Sequence, residues 1–282
     1  MISKFKAAAE AIKNSNYLVI SAGSGLGTES GIPHFKGKDG FVRTFPQYAK
    51  HGMTLPEVAS PSWFHKDPRF AWGFWGYSYN LYKQKHPHRG FDILKAWASK
   101  KALGYTVYTS NVDGHFQKAG FDQQFVQECH GNINFLQCVD NHKCIGDVWE
   151  VQDLQIEVDS ELLAQGPLPT CKHCGGLARP NVQMFGDWGW VADRSEAQAE
   201  LFEDQYRGVE SAKDRRVVVI ELGAGLAVPI VRRFGETFLY REPSSVLIRV
   251  NPKDEKSNDK GLINLPFSAL SALEEIQGLI DE

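Results

Sequence analysis

The chain has 282 residues, of which 42% are hydrophobic and 23% charged, and it carries a formal charge of −3. These proportions suit one large globular domain, or a domain with a smaller insert. They leave no basic footprint for nucleic acid, and no run approaches the roughly 18 apolar residues of a membrane span.

The N-terminal stretch MISKFKAAAEAIKNSN places Phe5, Ala8, Ala9 and Ile12 on one helical face, with lysines elsewhere. It predicts a first surface helix. The apolar part is too short and broken for a signal peptide, so a cytoplasmic protein is expected. A strand is predicted over YLVI (17–20), followed by SAGSGLGTESGIPHF (21–35). Gly23-x-Gly25 after a strand lets backbone amides approach a phosphate at a helix N-terminus. The same glycines also suit an ordinary turn. A dinucleotide fingerprint needs an acid about 20 residues on to hold the ribose. Here the chain offers RTFPQYAKHGM (43–53), with no acid and no strand pattern.

Residues 36–90 are rich in aromatics and loops and read as an insert. Within them, FAWGFWGYSYNLY (70–82) has its aromatics at helical spacing, which is first of all a core pattern. A helix follows in HRGFDILKAWASKK (88–101). YTVYT (105–109) is a second strand, ending in Ser110-Asn111-Val112-Asp113-Gly114. ECHGNI (128–133) and a second insert, 131–178, come next. VVVIEL (217–222) and SVLIRV (245–250) are two more strands, ending in Gly223-Ala224-Gly225 and Asn251-Pro252. All four runs are short, β-branched and apolar without alternation, as strands covered on both faces should be. Strands alternating with helices predict a doubly wound parallel sheet of Rossmann type, with ligands beyond the carboxyl ends of the strands. The inserts would form a smaller lobe beside it, within a single 1–282 domain.

Five cysteines are present. Four form the pairs Cys138/Cys144 and Cys171/Cys174, and Cys129 is left over. An odd count favours metal over disulfides. Cys171-x-x-Cys174 has zinc-ribbon spacing, and four thiolates would close a tetrahedral shell around structural Zn2+. Replacement of one thiolate by His142 or His173, or a degenerate site without metal, stays open.

Taken in order, the opening loop, Asn111-Val112-Asp113, His130-Gly131, the cysteine pairs, RPNVQMFGD (179–187) and GAGLAVP (223–229) resemble a sirtuin, an NAD-dependent protein lysine deacylase. The resemblance spans residues 5 to 252. The family's Gly-Ala-Gly-Ile-Ser-x-x-Ser-Gly-Ile-Pro-Asp-Phe-Arg stands here as residues 23–36. It implies NAD contacts from Gly23, Ser24, Gly25, Thr28, Ile32, Pro33, Phe35 and Lys36, with Phe35 as a lid over the nicotinamide ribose; the plain alternative is a core phenylalanine. It implies that Ser110 and Asn111 face the ribose, and that Val112 and Asp113 hold the nicotinamide carboxamide. The alternative for the latter is an Asx turn bonded to its own backbone. His130 is implied to be the general base, a role that an imidazole with an unperturbed pKa of about 6.5 can fill. Gly223, Ala224, Gly225 and Asn251 are implied on the adenosine side. Val182, Gln183, Phe185, Gly186 and Asp187 would clamp an acylated peptide as an added strand.

Departures cluster at the cofactor. Gly27 and Gly225 replace serines, His34 an aspartate, Lys36 an arginine and Ser110 a glutamine. Gln183 replaces a valine. Where acid-selective members carry Tyr-x-x-Arg, this chain has Trp75-x-x-Ser78, so acetyl-like rather than acidic acyl groups are expected. The reading is a deacylase giving nicotinamide and 2′-O-acyl-ADP-ribose. The competing readings are ADP-ribosyl transfer or NAD hydrolysis on the same scaffold, and a non-catalytic NAD- or ADP-ribose-sensing module.

Overall fold

A computed structural model describes residues 2–33, 38–242, 244–253 and 260–282. Its strands are β1 (Tyr17–Ala22), β2 (Tyr105–Thr109), β3 (Val126–Glu128), β4 (Gly131–Cys138), β5 (Val148–Glu150), β6 (Glu157–Val158), β7 (Ala164–Gln165), β8 (Ala178–Val182), β9 (Val217–Leu222), β10 (Val246–Val250) and β11 (Leu262–Leu265). Six of them form one parallel sheet in the order β11-β10-β9-β1-β2-β3. The four strands expected from the sequence are its centre, and β3 and β11 are its unforeseen edges.

Alternate residues of β1 face opposite layers, as the pleat requires. Leu18 and Ile20 pack with Phe5, Ile12, Leu94 and Leu273, drawn from the helices Ile2–Asn14, Arg89–Ala98 and Ala269–Asp281. Tyr17 and Val19 pack on the other face with Phe202, Tyr206 and Phe238, from Asp193–Ser211 and Ile230–Arg241. Every residue of β1 and β9 is buried. Hence the apolar runs show no alternation. Among the described residues, no helix is long and apolar enough to cross a membrane.

A separate core joins residues from both inserts: Phe45, Phe64, Trp72 and Tyr79 meet Ile133, Ile156, Leu162 and Ala178. Its sheet is antiparallel, β5-β4-β8. The helix Pro68–Gln84 is its main buttress. Asp67 caps it, accepting from the amides of Arg69 and Phe70 at 3.1 Å, and the Trp72 indole donates to the Ala178 carbonyl at 3.0 Å.

At the carboxyl edge of the parallel sheet, the first residue after each strand donates its amide to the last carbonyl of the strand beside it. Cys129 bonds Thr109, Ser110 bonds Ala22, Gly23 bonds Leu222, Gly223 bonds Val250 and Asn251 bonds Leu265, at 2.9–3.2 Å. This line sets the residues singled out by the sequence side by side.

Candidate active site

Three of those glycines interlock. A Cβ on Gly23 would lie 2.7 Å from the Gly223 carbonyl oxygen, and one on Gly25 would lie 2.6 Å from the Gly223 Cα. Gly223, at φ +61°, would place its own Cβ 2.4 Å from the Gly25 Cα. Close packing of two loops, rather than contact with a ligand, requires glycine here.

Beyond the lock lies a cavity of about 370 Å³, walled in part by Ser24, Gly25, Thr28, Gly223, Gly225 and Asn251. Asn251 Nδ2 and Arg232 Nε both donate to the Ala224 carbonyl, at 2.8 and 3.0 Å. Arg232 and Lys253 are on its wall, and no carboxylate is, among the described residues. That lining suits an anionic diphosphate. Arg232, Lys253 and Ser268 were not legible in the sequence. Arg232 reads there as an ordinary helical arginine, and Ser268 precedes a helix in no recognised motif.

A second cavity, about 390 Å³, is walled by Ser110, Val112, His130, Gln183, Phe185 and Gly186, and by Phe74, Trp75, Ser78 and Tyr82 of the helix Pro68–Gln84. That helix is therefore both core and cavity wall. No lysine, arginine, aspartate or glutamate lines this space among the described residues. The Ser78 hydroxyl is engaged with the Phe74 carbonyl at 2.9 Å. Val228 belongs to both cavities, which adjoin there.

The remaining expected residues support these walls. Asn111 Nδ2 donates to the Gly23 carbonyl at 3.1 Å, tying the β2 end to the β1 loop; it does not turn back on its own backbone. Asp113 does so in part, accepting from the His115 amide at 2.9 Å. Burial pushes its carboxyl up to about 6, against the lowering effect of the His115 amide and its own. Gly23, Ala224, Ile32 and Pro33 are not walls of either cavity. His34, Phe35 and Lys36 lie outside the described residues.

His130 occupies the turn between β3 and β4. Gly131 after it has φ +76°, and a Cβ there would lie 2.1 Å from the Asn181 carbonyl oxygen, so only glycine lets β8 close against the turn. The His130 carbonyl accepts from the Gln183 amide at 3.0 Å. On either side of His130, Asn132 Nδ2 donates to the buried Glu128 carboxylate at 2.7 Å, and Arg194 pairs with the other carboxylate oxygen at 2.6 Å. Cys129 is half-buried.

Two of the expected peptide-clamping residues have buried side chains. Val182 is 3% exposed and packs in the lobe core. The Asp187 side chain is 1% exposed and turned inward to Arg179, at 2.9 Å. Gln183, Phe185 and Gly186 do face outward.

Cys138, Cys144, Cys171 and Cys174 converge, with all sulfurs within 4.8 Å of one another. The Cys138–Cys174 and Cys144–Cys171 separations are 3.7 Å. A tetrahedron of Zn–S bonds of about 2.3 Å has edges of about 3.8 Å, so the four thiols fit zinc and leave no ligand position open. A short helical turn, Asn141–Lys143, takes up the wide Cys138-x5-Cys144 spacing. His173 Nε2 meets Asp147 at 2.9 Å, and the metal-sized cluster consists of the four sulfurs.

The sequence profile of the Sir2 family matches residues 23–203. The chain is 29% identical over 243 residues to an NAD-dependent protein deacylase of Aquifex aeolicus, covering 86% of each. It is 27% identical over 272 residues to one of Aeropyrum pernix, covering 95% of this chain and 94% of that one. Among solved structures, a Sir2 homologue in complex with NAD aligns over 98% of this chain and 94% of its own, with TM-score 0.67 and 25% identity. A Sir2 enzyme at 24% identity aligns over 100% of this chain and 99% of its own, also at TM-score 0.67, and supports the fold.

Proposed function

The chain belongs to the Sir2 family, and from that premise we propose that its two adjoining cavities form one NAD-dependent protein lysine deacylase site. The observation that carries this is Val228, a shared wall: it puts a cavity suited to a diphosphate against an uncharged cavity bearing His130.

When bound, NAD supplies the glycosidic bond whose cleavage accompanies acyl transfer to the ribose and nicotinamide release. The chain's residues position and protect that chemistry. Ser24, Gly25, Thr28 and Asn251 hold the adenosine diphosphate side, with Arg232 and Lys253 matching its charge. Asn111 and Ser110 border the reacting ribose. Asp113, its carboxyl raised to about 6 by burial, orients the carboxamide with Val112. His130 accepts a proton at its imidazole from a ribose hydroxyl. Phe35 and Lys36 are assigned to the lid on the family motif. Phe74, Trp75 and Tyr82 exclude water from the acyl group. Among the described residues no lysine or arginine lines that cavity, which favours a neutral, acetyl-like acyl over an acidic one.

Gln183, Phe185 and Gly186 receive the acylated polypeptide, whose extended backbone adds to the β8 edge. The four cysteines hold structural zinc. A cytoplasmic location goes with this reading, since thiols gathered for a metal need a reducing compartment. With a formal charge of −3, the partner is a protein rather than a nucleic acid.

The test is incubation with NAD and an acetyl-lysine peptide, followed by mass spectrometry. Peptide-dependent nicotinamide release, with the peptide lighter by one acetyl and no such change in His130→Ala, is the expected result. Gln183, polar and exposed at the mouth, favours one second reading, transfer of ADP-ribose to protein or to water. A peptide made heavier, or ADP-ribose formed without peptide, would replace the first reading with it.

A further inference from the structure

The loop 183–189 holds two large aromatics in solvent. Trp188 is fully exposed and Phe185 is 45% exposed. Scattered exposed aliphatics are ordinary, but a whole indole in water forgoes a large burial energy. This loop is also pinned from beneath. The buried Asp187 carboxylate pairs with Arg179 and accepts from the Met184 and Gly189 amides at 3.2 and 3.3 Å. Breaking such a buried pair is strongly unfavourable, so the loop presents its aromatics on a fixed support.

Gly186 is the hinge of the geometry. It walls the His130 cavity, and it also walls a depression of about 260 Å³ together with Trp188 and Gly189. Pro61, His65 and Val139 close the far side of that depression. A polypeptide with its acyl-lysine in the first cavity must carry its backbone past Gly186, where a neighbouring side chain reaches the second. The two wall residues of opposite charge, Arg179 and Asp187, are spent on each other, so the depression suits an uncharged guest.

We propose that Trp188 and this depression form a subsite for one bulky apolar or aromatic residue flanking the acyl-lysine of the protein substrate. This rests on the deacylase reading. The occupant follows from continuity, because a single loop walls both spaces. Burial of an aromatic against an indole gives affinity beyond area alone.

The test uses the full chain, NAD and acetyl-lysine peptides in which each flanking position is Ala, Leu, Phe or Asp in turn. At one position, Phe or Leu is expected to exceed Ala by about tenfold in kcat/KM, chiefly through KM. In Trp188→Ala the advantage should collapse to within about twofold, and Trp188→Phe should restore part of it. Trp188 is exposed, so these variants should fold as wild type does, and a thermal melt checks it. A flat profile, or an advantage that persists in Trp188→Ala, overturns the subsite while deacylation stands. A dimer that dissociates on Trp188→Ala overturns it in favour of self-association. No turnover of any peptide overturns the deacylase reading itself, and the subsite with it.

Discussion

Asn132 Nδ2 donates to the buried Glu128 carboxylate at 2.7 Å, and His130 is held in the turn between the two. Ser195 Oγ adds a bond to the Glu128 carbonyl at 2.9 Å, and Gln198 accepts the Glu128 amide at 3.0 Å. Burial pushes the Glu128 carboxyl above its usual range, although Arg194 pulls the other way. The turn is thus fastened to the helix Asp193–Ser211 through one residue, Glu128, by its carboxylate, its carbonyl and its amide.

Glu128→Gln keeps the shape and leaves Arg194 without its charge partner. We expect a loss of about 2–3 kcal/mol in stability and a fall in kcat of about tenfold or more, with the NAD KM little moved. Adding Arg194→Gln should recover part of both. Urea unfolding and steady-state kinetics on the double-mutant cycle check this; wild-type kcat in Glu128→Gln would remove the positioning role.

Asp113 gives a pH signature with a definite sign. Its carboxyl is raised from 3.8 to about 6 in the folded protein. Its stabilising contribution is therefore complete below 3.8 and is lost as pH rises through about 6. Asp113→Asn does not titrate. Relative to wild type, its stability should improve between pH 4 and pH 7.5 by roughly 2–3 kcal/mol, even as it loses carboxamide orientation and turnover. Unfolding curves at the two pH values decide it; a constant difference would show that the carboxyl is not desolvated.

The glycine lock separates two superficially equivalent substitutions. Gly25→Ala forces the two loops apart, and a cost of about 1–3 kcal/mol is expected, with NAD affinity falling at least about tenfold. Gly225→Ala meets no atom within 4 Å, so its melting temperature should match wild type. Differential scanning fluorimetry and NAD titration compare them.

The thiol cluster should hold one zinc per chain by metal analysis. A strong chelator should remove it together with the cooperative unfolding of the small lobe, because β4 and β8 run from the cysteines into the lobe core. Cys144→Ser should lower zinc occupancy and melting temperature together; an unchanged melt would rule out a structural metal.

The buried parallel strands were legible because each is an apolar run closed by glycine, asparagine or proline. β3 has three residues and β11 four, too few for any period to show. β4 and β8 escaped for another reason. They bury Asn132, Gln137, Arg179 and Asn181, and Asn181 Nδ2 satisfies the Gln137 Oε1 and Val191 carbonyl at 3.0 and 2.8 Å. A strand that buries amides in mutual hydrogen bonds has no hydrophobic signature. Motif order singled out His130, Asn111 and the cysteines, and the structure sets His130 on a cavity wall, ties Asn111 to the Gly23 carbonyl and gathers the four sulfurs. The inward ion pair of Asp187 depends on Arg179 eight residues earlier and has no local signal, and Arg232 is placed by a helix whose pattern says nothing of a ligand.

The line of amide bonds along the sheet's carboxyl edge has an evolutionary consequence. It is made by main chain alone, so exchanging side chains such as Gly27, Ser110 or Gly225 leaves the spacing of the strand ends intact. The loops beyond the edge are then free to change while the strand ends stay in place, which is how a chain can differ at several loop positions and keep the same main-chain frame.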